Sequence, residues 1–231
     1  MTLASCDSRK TAGENPFFTE WDTPHGVPPF DKILPEHFMP AFERGMSLHE
    51  AEIDAITSNK DEATFENTIL AYDNAGQMLA QTELVFGMLC AAETNDRMQA
   101  LQEQAMPLLA AHRDKIRLDD KLFVRVKEVY DRRAALGLDA EQMRLLQKTY
   151  DSFVRAGALL DAEQKARLKE INGQLSLTAV KFGNNILAEN NNFVLELKSD
   201  ELDGLPAGIR DAAREKAQQM GKGDKWVFTL H

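Results

Sequence analysis

His49-Glu50 is the first place in this chain where metal chemistry could begin. A catalytic metal helix of the His-Glu-x-x-His type needs a second histidine four residues on, because positions i and i+4 share one helix face. Here that position is Ile53. One imidazole cannot hold a catalytic zinc, which takes three protein ligands. His49 lies on an apolar stripe, so its expected role is helix packing. His25 sits among prolines, His37 near a helix start, His112 on another stripe and His231 at the chain end, and no two of them are spaced to chelate. Glu36, Glu50 and Glu52 are acid–base candidates by residue type alone, and isolated helix carboxylates are ordinarily solvated.

Nucleophile and phosphate chemistry fare no better. The chain has no Gly-x-Ser-x-Gly elbow and no Gly-rich loop following a strand. Its two cysteines, Cys6 and Cys90, are too few for a disulfide framework. Cys90 lies in the apolar run Leu84–Cys90 and reads as a small buried hydrophobe. Cys6 differs: Leu3-Ala4-Ser5-Cys6 has the form of a bacterial lipobox, though a charged and then apolar leader does not precede it. The polar stretch Asp7–Glu14 then serves as a tether, and Cys6 as a lipidation site places the protein at the cell envelope, on the periplasmic side. A cytoplasmic location is the alternative.

The elements that would carry these residues are helices. With 231 residues and 43% hydrophobic, the chain can bury a substantial core. Its net charge of −10 argues against a nucleic-acid partner, which needs a basic face. Pro16, Pro24, Pro28 and Pro29 alternate with Phe17, Phe18, Trp21 and Phe30 in an extended arm whose aromatics pack on a helical surface. Phe38, Phe42, Met46, His49, Ile53 and Ile56 then step along one helix. Thr64 or Asn67 caps a second, carrying Ile69, Tyr72, Leu79 and Phe86. Asn95-Asp96 opens a third with Met98, Leu101, Leu108 and His112, which Pro107 kinks or divides. Asp119-Asp120 caps a fourth ending at Gly137. Asp139 and Asp161, each followed three residues later by Gln, open a fifth and sixth as capping boxes. The fifth carries Met143, Leu146, Tyr150 and Phe153; the sixth carries Leu168, Ile171, Leu175 and Phe182.

Asn190-Asn191-Asn192 ends the sixth helix. Beyond it come a strand at Phe193–Leu197, a helix from about Ala207 to Met220, and a strand at Lys225–Leu230. The fold class is therefore mainly α: an antiparallel multi-helix array with a small strand-helix-strand segment. Residues 1–14 form the tether, 15–190 the helical lobe with its arm, and 191–231 the start of an incomplete α+β subdomain. The terminal strand has no cap or tail, so the chain is expected to be truncated ahead of a catalytic domain.

A resemblance rests on seven ordered segments: Asn15–Phe18, Pro28–Ile33, Ala51–Ile56, Thr64–Ile69, Phe123–Lys127, Phe153–Ala158, and Gly221-Lys222 with Lys225-Trp226-Val227. Through them the chain resembles the N-terminal region of bacterial peptidyl-dipeptidases, among the thimet-oligopeptidase-like zinc metallopeptidases, and oligopeptidase A less closely. The resemblance implies a helical, two-lobed enzyme with a deep channel admitting short peptides, and this region as part of its wall. It also implies one zinc held by two helix histidines and a downstream glutamate, all in the catalytic part. No residue here is therefore assigned as catalytic, cofactor-binding or metal-ligating, and the chain alone is expected to bind no zinc and to be inactive. The competing reading is a stand-alone helical module that binds peptides or proteins without catalysis.

Overall fold

The computed structural model describes residues 15–230 and is mainly α. The chain falls into two compact units, one ending at Leu177 and the other starting at Thr178. The first holds α1 (Phe38–Ser58), α2 (Ala71–Asp73), α3 (Gln77–Ala92), α4 (Asp96–Arg117), α5 (Asp120–Asp131), α6 (Ala140–Arg155) and the first half of α7 (Ala162–Asn192). The second holds the rest of α7, β1 (Leu195–Leu197), α8 (Ala207–Gln219) and β2 (Trp226–Phe228). Cys6 and its tether lie outside the described residues, as does His231.

Helix starts follow local chemistry. The side chains of Asn95, Asp119, Asp139 and Asp161 each accept from a backbone N–H two or three residues into the helix, and Gln142 and Gln164 complete reciprocal boxes. Thr64 and Asn67 are both caps, not alternatives: each side chain accepts the other's backbone N–H, at 3.1 and 2.9 Å. The turn they open, Phe65–Leu70, is π-helical. At the end of α6, Gly157 N–H donates to Val154 O at 3.1 Å and Ala158 N–H to Phe153 O at 3.0 Å, the paired bonds of a Schellman stop. Gly221 and Lys222 close α8 with the same pair of bonds, to Gln218 and Ala217.

Three expectations need correction. The second predicted helix is two pieces, because the chain breaks at Gly76, whose φ is +75°. Pro107 does not divide α4, and the core face of that helix is Met98, Ala105, Leu109, His112 and Ile116; Leu108 is 45% exposed. The sixth stripe is not covered along its length: Ile171, Leu175 and Phe182 are exposed, Phe182 at 65%.

The first unit has two adjoining cores that share α1. One gathers Phe17 from the arm, Phe38 and Phe42 from α1, Phe86 from α3 and Leu109 from α4, with Phe86 edge-on to both α1 rings. The arm reaches it through short 3-10 turns: Asn15 donates to His37 O at 2.8 Å, Trp21 Nε1 donates to Pro16 O, and the Arg44 guanidinium covers the Phe18 ring. The other core packs Ile53, Ile56, Phe65 and Ile69 against Leu122, Val126, Leu146 and Phe153. In the second unit β1 and β2 pair antiparallel, with Glu196 opposite Val227. Val227 is buried, and Trp226 lies under the Arg214 guanidinium of α8. Lys222 and Lys225 both hydrogen-bond Glu196 and hold its carboxyl down at about 2.

Buried Arg125 ties the second core to the loop after α1. Its guanidinium donates to Asn59 O at 3.0 Å, Asp61 O at 3.1 Å and Asn67 Oδ1 at 3.1 Å. Replacing it with methionine keeps the stem and removes three hydrogen bonds, taking the Arg125 donor from Asn59 O and Asp61 O, while Asn67 Oδ1 still accepts from Thr64 and Thr68. The expected loss is about 2 kcal/mol or more, since bonds to a buried charged donor exceed neutral ones. A urea titration of Arg125→Met against the parent chain measures it; Arg125→Lys is expected to recover only part, because an ammonium cannot reproduce the fork.

Candidate functional site

The polar centre of the first unit forms where α1, α3 and α4 meet. Helical periodicity brings His49 of α1 and His112 of α4 together although 63 residues separate them, with His112 Nε2 3.0 Å from His49 Nδ1. Their rings are 5.0 Å apart and tilted. Glu50 Oε1 stands 3.5 Å from His112 Nδ1, and Glu50 Oε2 takes an ion pair from Lys115 at 2.8 Å. Glu52 accepts the Gly76 N–H at 2.7 Å, fixing the start of α3. The spacing of the histidines in sequence hid this pair; the signal was that each sits on the buried stripe of its own helix.

The electrostatics keep the pair neutral. Burial pushes both imidazoles below their ordinary value of 6.5, and for His49 the neighbouring His112 adds to the effect. The Lys115 hydrogen bond holds the Glu50 carboxyl low. A proton on His112 Nδ1, facing the Glu50 carboxylate, leaves Nε2 to accept from His49 Nδ1–H, which assigns the tautomers from the network. His112 is 3% exposed at its side chain.

This arrangement can pass a proton between rings, but it does not fit a metal. The two ring nitrogens face each other at hydrogen-bond distance instead of converging on an outside point, whereas zinc needs nitrogen ligands at about 2.0–2.1 Å around a common centre. Among the described residues no group of three or more His, Cys, Asp and Glu side chains is placed to hold a metal ion. The remaining candidates are apart. Glu36 pairs with Arg97 at 3.0 Å on the surface. His37 Nδ1 accepts from Leu34 N–H at 3.1 Å. His25 is exposed at φ +59°. Half-buried Cys90 has its thiol pushed up by burial, the opposite of an activated nucleophile.

No family model matches the chain. Among curated proteins it is 38% identical over 94% of its length to dipeptidyl carboxypeptidase of Escherichia coli (strain K12), and 36% identical over the same share to dipeptidyl carboxypeptidase of Salmonella typhimurium. It is 24% identical over 85% of its length to Escherichia coli oligopeptidase A. The chain spans about a third of the length of these relatives, at 32%, 32% and 29%. The resemblance seen in the seven segments therefore holds along nearly the whole chain, with the dipeptidyl carboxypeptidases nearer than oligopeptidase A.

The neutral imidazole pair makes stability depend on pH with a defined sign. Both folded values lie below the unfolded one, so the contribution is fully present above about pH 6.5 and is lost as pH falls from there through the folded values. Urea midpoints between about pH 8 and pH 5 are expected to fall on the acid side in the parent chain, and to fall less in His49→Gln/His112→Gln. An equal acid-side decline in the double variant would refute the assignment.

Proposed function

We propose that this chain is a non-catalytic N-terminal helical lobe of a zinc metallopeptidase of the peptidyl-dipeptidase kind, and that it forms part of the substrate-channel wall. The parent enzyme hydrolyses peptide bonds of short peptides and releases C-terminal dipeptides. Identity of 38% across 94% of the chain, to about a third of a dipeptidyl carboxypeptidase, carries the reading. The local roles of the resembling segments support it. Thr64–Ile69 is a capping box with a core turn, Phe123–Lys127 carries Arg125, Phe153–Ala158 is a helix stop, and Lys225-Trp226-Val227 is a strand. Residues so used shape a scaffold. Zinc and its ligands belong to the parent's catalytic part, and no zinc step is assigned to His49, Glu50 or His112.

The purified chain, dialysed and analysed for metal, is expected to hold far less than one zinc and to release no dipeptide from a peptide with a free C-terminus. Stoichiometric zinc that disappears in His49→Ala, or dipeptide release that does so, defeats the reading. A parent reading frame with His-Glu-x-x-His beyond His231 is the expected companion result. Without it, the stand-alone binding module becomes the better account, and the exposed Ile171 and Leu175 of α7 are the surface it would use.

Cys6 we assign as a lipid anchor of the parent at the cell envelope, on the Leu3-Ala4-Ser5-Cys6 pattern. Stable attachment takes two acyl signals. In a bacterial host the native gene product is expected in the membrane fraction, and Cys6→Ser in the soluble fraction. An unlipidated, wholly soluble product that retains Cys6 overturns the assignment.

A further inference from the structure

Around one hollow in the first unit the charge balance of the chain is inverted. The whole sequence carries 37 acidic against 27 basic residues. The hollow, of about 550 Å³, is lined by Arg117, Arg144, Lys148, Asp151, Ser152 and Arg155, four cations against one carboxylate. Arg117 comes from the last turn of α4 and the others from one face of α6, at steps of four, three, one and three. We propose that this hollow binds a small multivalent oxyanion of the pyrophosphate class.

Three observations carry the assignment. The three α6 cations are not committed elsewhere: Arg144, Lys148 and Arg155 form none of the ion pairs found among the described residues, whereas Arg117 also interacts with Tyr72 and Glu83. Asp151, the one carboxylate on the face, accepts instead from Gln147 Nε2 at 2.9 Å. Second, the arrangement opposes helix stability at one step. Arg155 and Arg117 lie in last turns, where a cation suits the helix dipole. Arg144 and Lys148 have no such compensation, and as like charges at i and i+4 they repel. Third, the residue types and span select the ligand. Three arginines present planar forks that match phosphate oxygens two at a time, and Ser152 adds a hydroxyl. Arg144 to Arg155 covers about 16 Å of helix axis. That is more than one phosphate engages, and linked phosphates suit it better. The volume is that of a small-ligand site.

The test is calorimetric titration of the whole 231-residue chain with inorganic pyrophosphate, citrate and a glutamate-rich peptide as parallel arms. Pyrophosphate is expected to bind saturably, with Kd at or below about 1 mM. Arg144→Gln/Lys148→Gln is expected to weaken it about tenfold or more, as is Arg155→Gln, while Lys60→Gln/Lys121→Gln, at exposed cations outside the hollow, leaves it within about twofold. All these side chains are exposed, and unchanged urea midpoints show that the variants fold. Citrate binding about tenfold weaker than pyrophosphate supports the phosphate class; equal or tighter citrate binding overturns it. Tighter binding of the acidic peptide overturns it in favour of a peptide-docking surface. Absence of saturation, or equal losses in the hollow and control variants, shows a solvated basic face with no site. The peptidase reading does not bear on any of these outcomes.

Discussion

Two glycines set the distance between α1 and α3, and the first unit depends on that distance. A side chain on Gly45 of α1 would stand 3.0 Å from the Leu79 Cα of α3, and one on Gly76 would stand 2.9 Å from the His49 ring of α1. The first is tighter than nine in ten real Cβ contacts, and the second would require the His49 ring to shift. Gly76 carries a second constraint, since its φ of +75° is strained for any L side chain. The approach is mutual and one turn long: residues 45 and 49 of α1 meet residues 79 and 76. With the backbones this near, Phe38 and Phe42 reach Phe86, and His49 is carried to His112 on α4.

From that contact the two cores follow. α1 is 21 residues long, and its two halves serve different partners. Phe38, Ala41 and Phe42 face the arm and α3, while Ile53 and Ile56 face the Phe65–Leu70 turn and α5. The histidine pair sits near the junction, where an apolar contact and a polar anchor change over. The polar groups nearby are partly met: Glu52 takes the Gly76 N–H, His112 Nε2 meets His49, and the terminal nitrogens of Arg125 reach two carbonyls and Asn67, while His112 Nδ1 and Arg125 Nε have no hydrogen-bond partner among the described residues. These are anchoring uses of residue types that elsewhere do catalysis.

Thr64–Ile69, Phe123–Lys127 and Phe153–Ala158 are spent on turns, stops and core positions, so their local role is architectural. Charge tells a different story. Some ionic groups pair across the surface or along a helix, as Arg97 does with Glu36 and Arg167 with Glu170, and such pairs contribute little. The α6 face is distinguished by gathering Arg144, Lys148 and Arg155 with Arg117 of α4 around one hollow.

Local physics was legible before any coordinates. Asp139 and Asp161 cap their helices through side chains that reach only three residues, so four letters specify the geometry. The stripes on α1 and α6 were readable for the same reason, as were the strands, found shorter than expected at Leu195–Leu197 and Trp226–Phe228. What the sequence could not supply was which stripe meets which. The step at Leu108 and Leu109 is ambiguous at a period of 3.6, and packing on α1 chose Leu109. Gly76 looked like an ordinary helical position until the His49 ring was placed against it. His49 and His112 become a pair only when two helices cross, and the cationic hollow exists only because the end of α4 lies beside one face of α6. Sequence alone determined the elements and the composition of their faces, since caps and periodicity act within a few residues. Tertiary structure decided the partners, because close approach between backbones is a property of two segments at once.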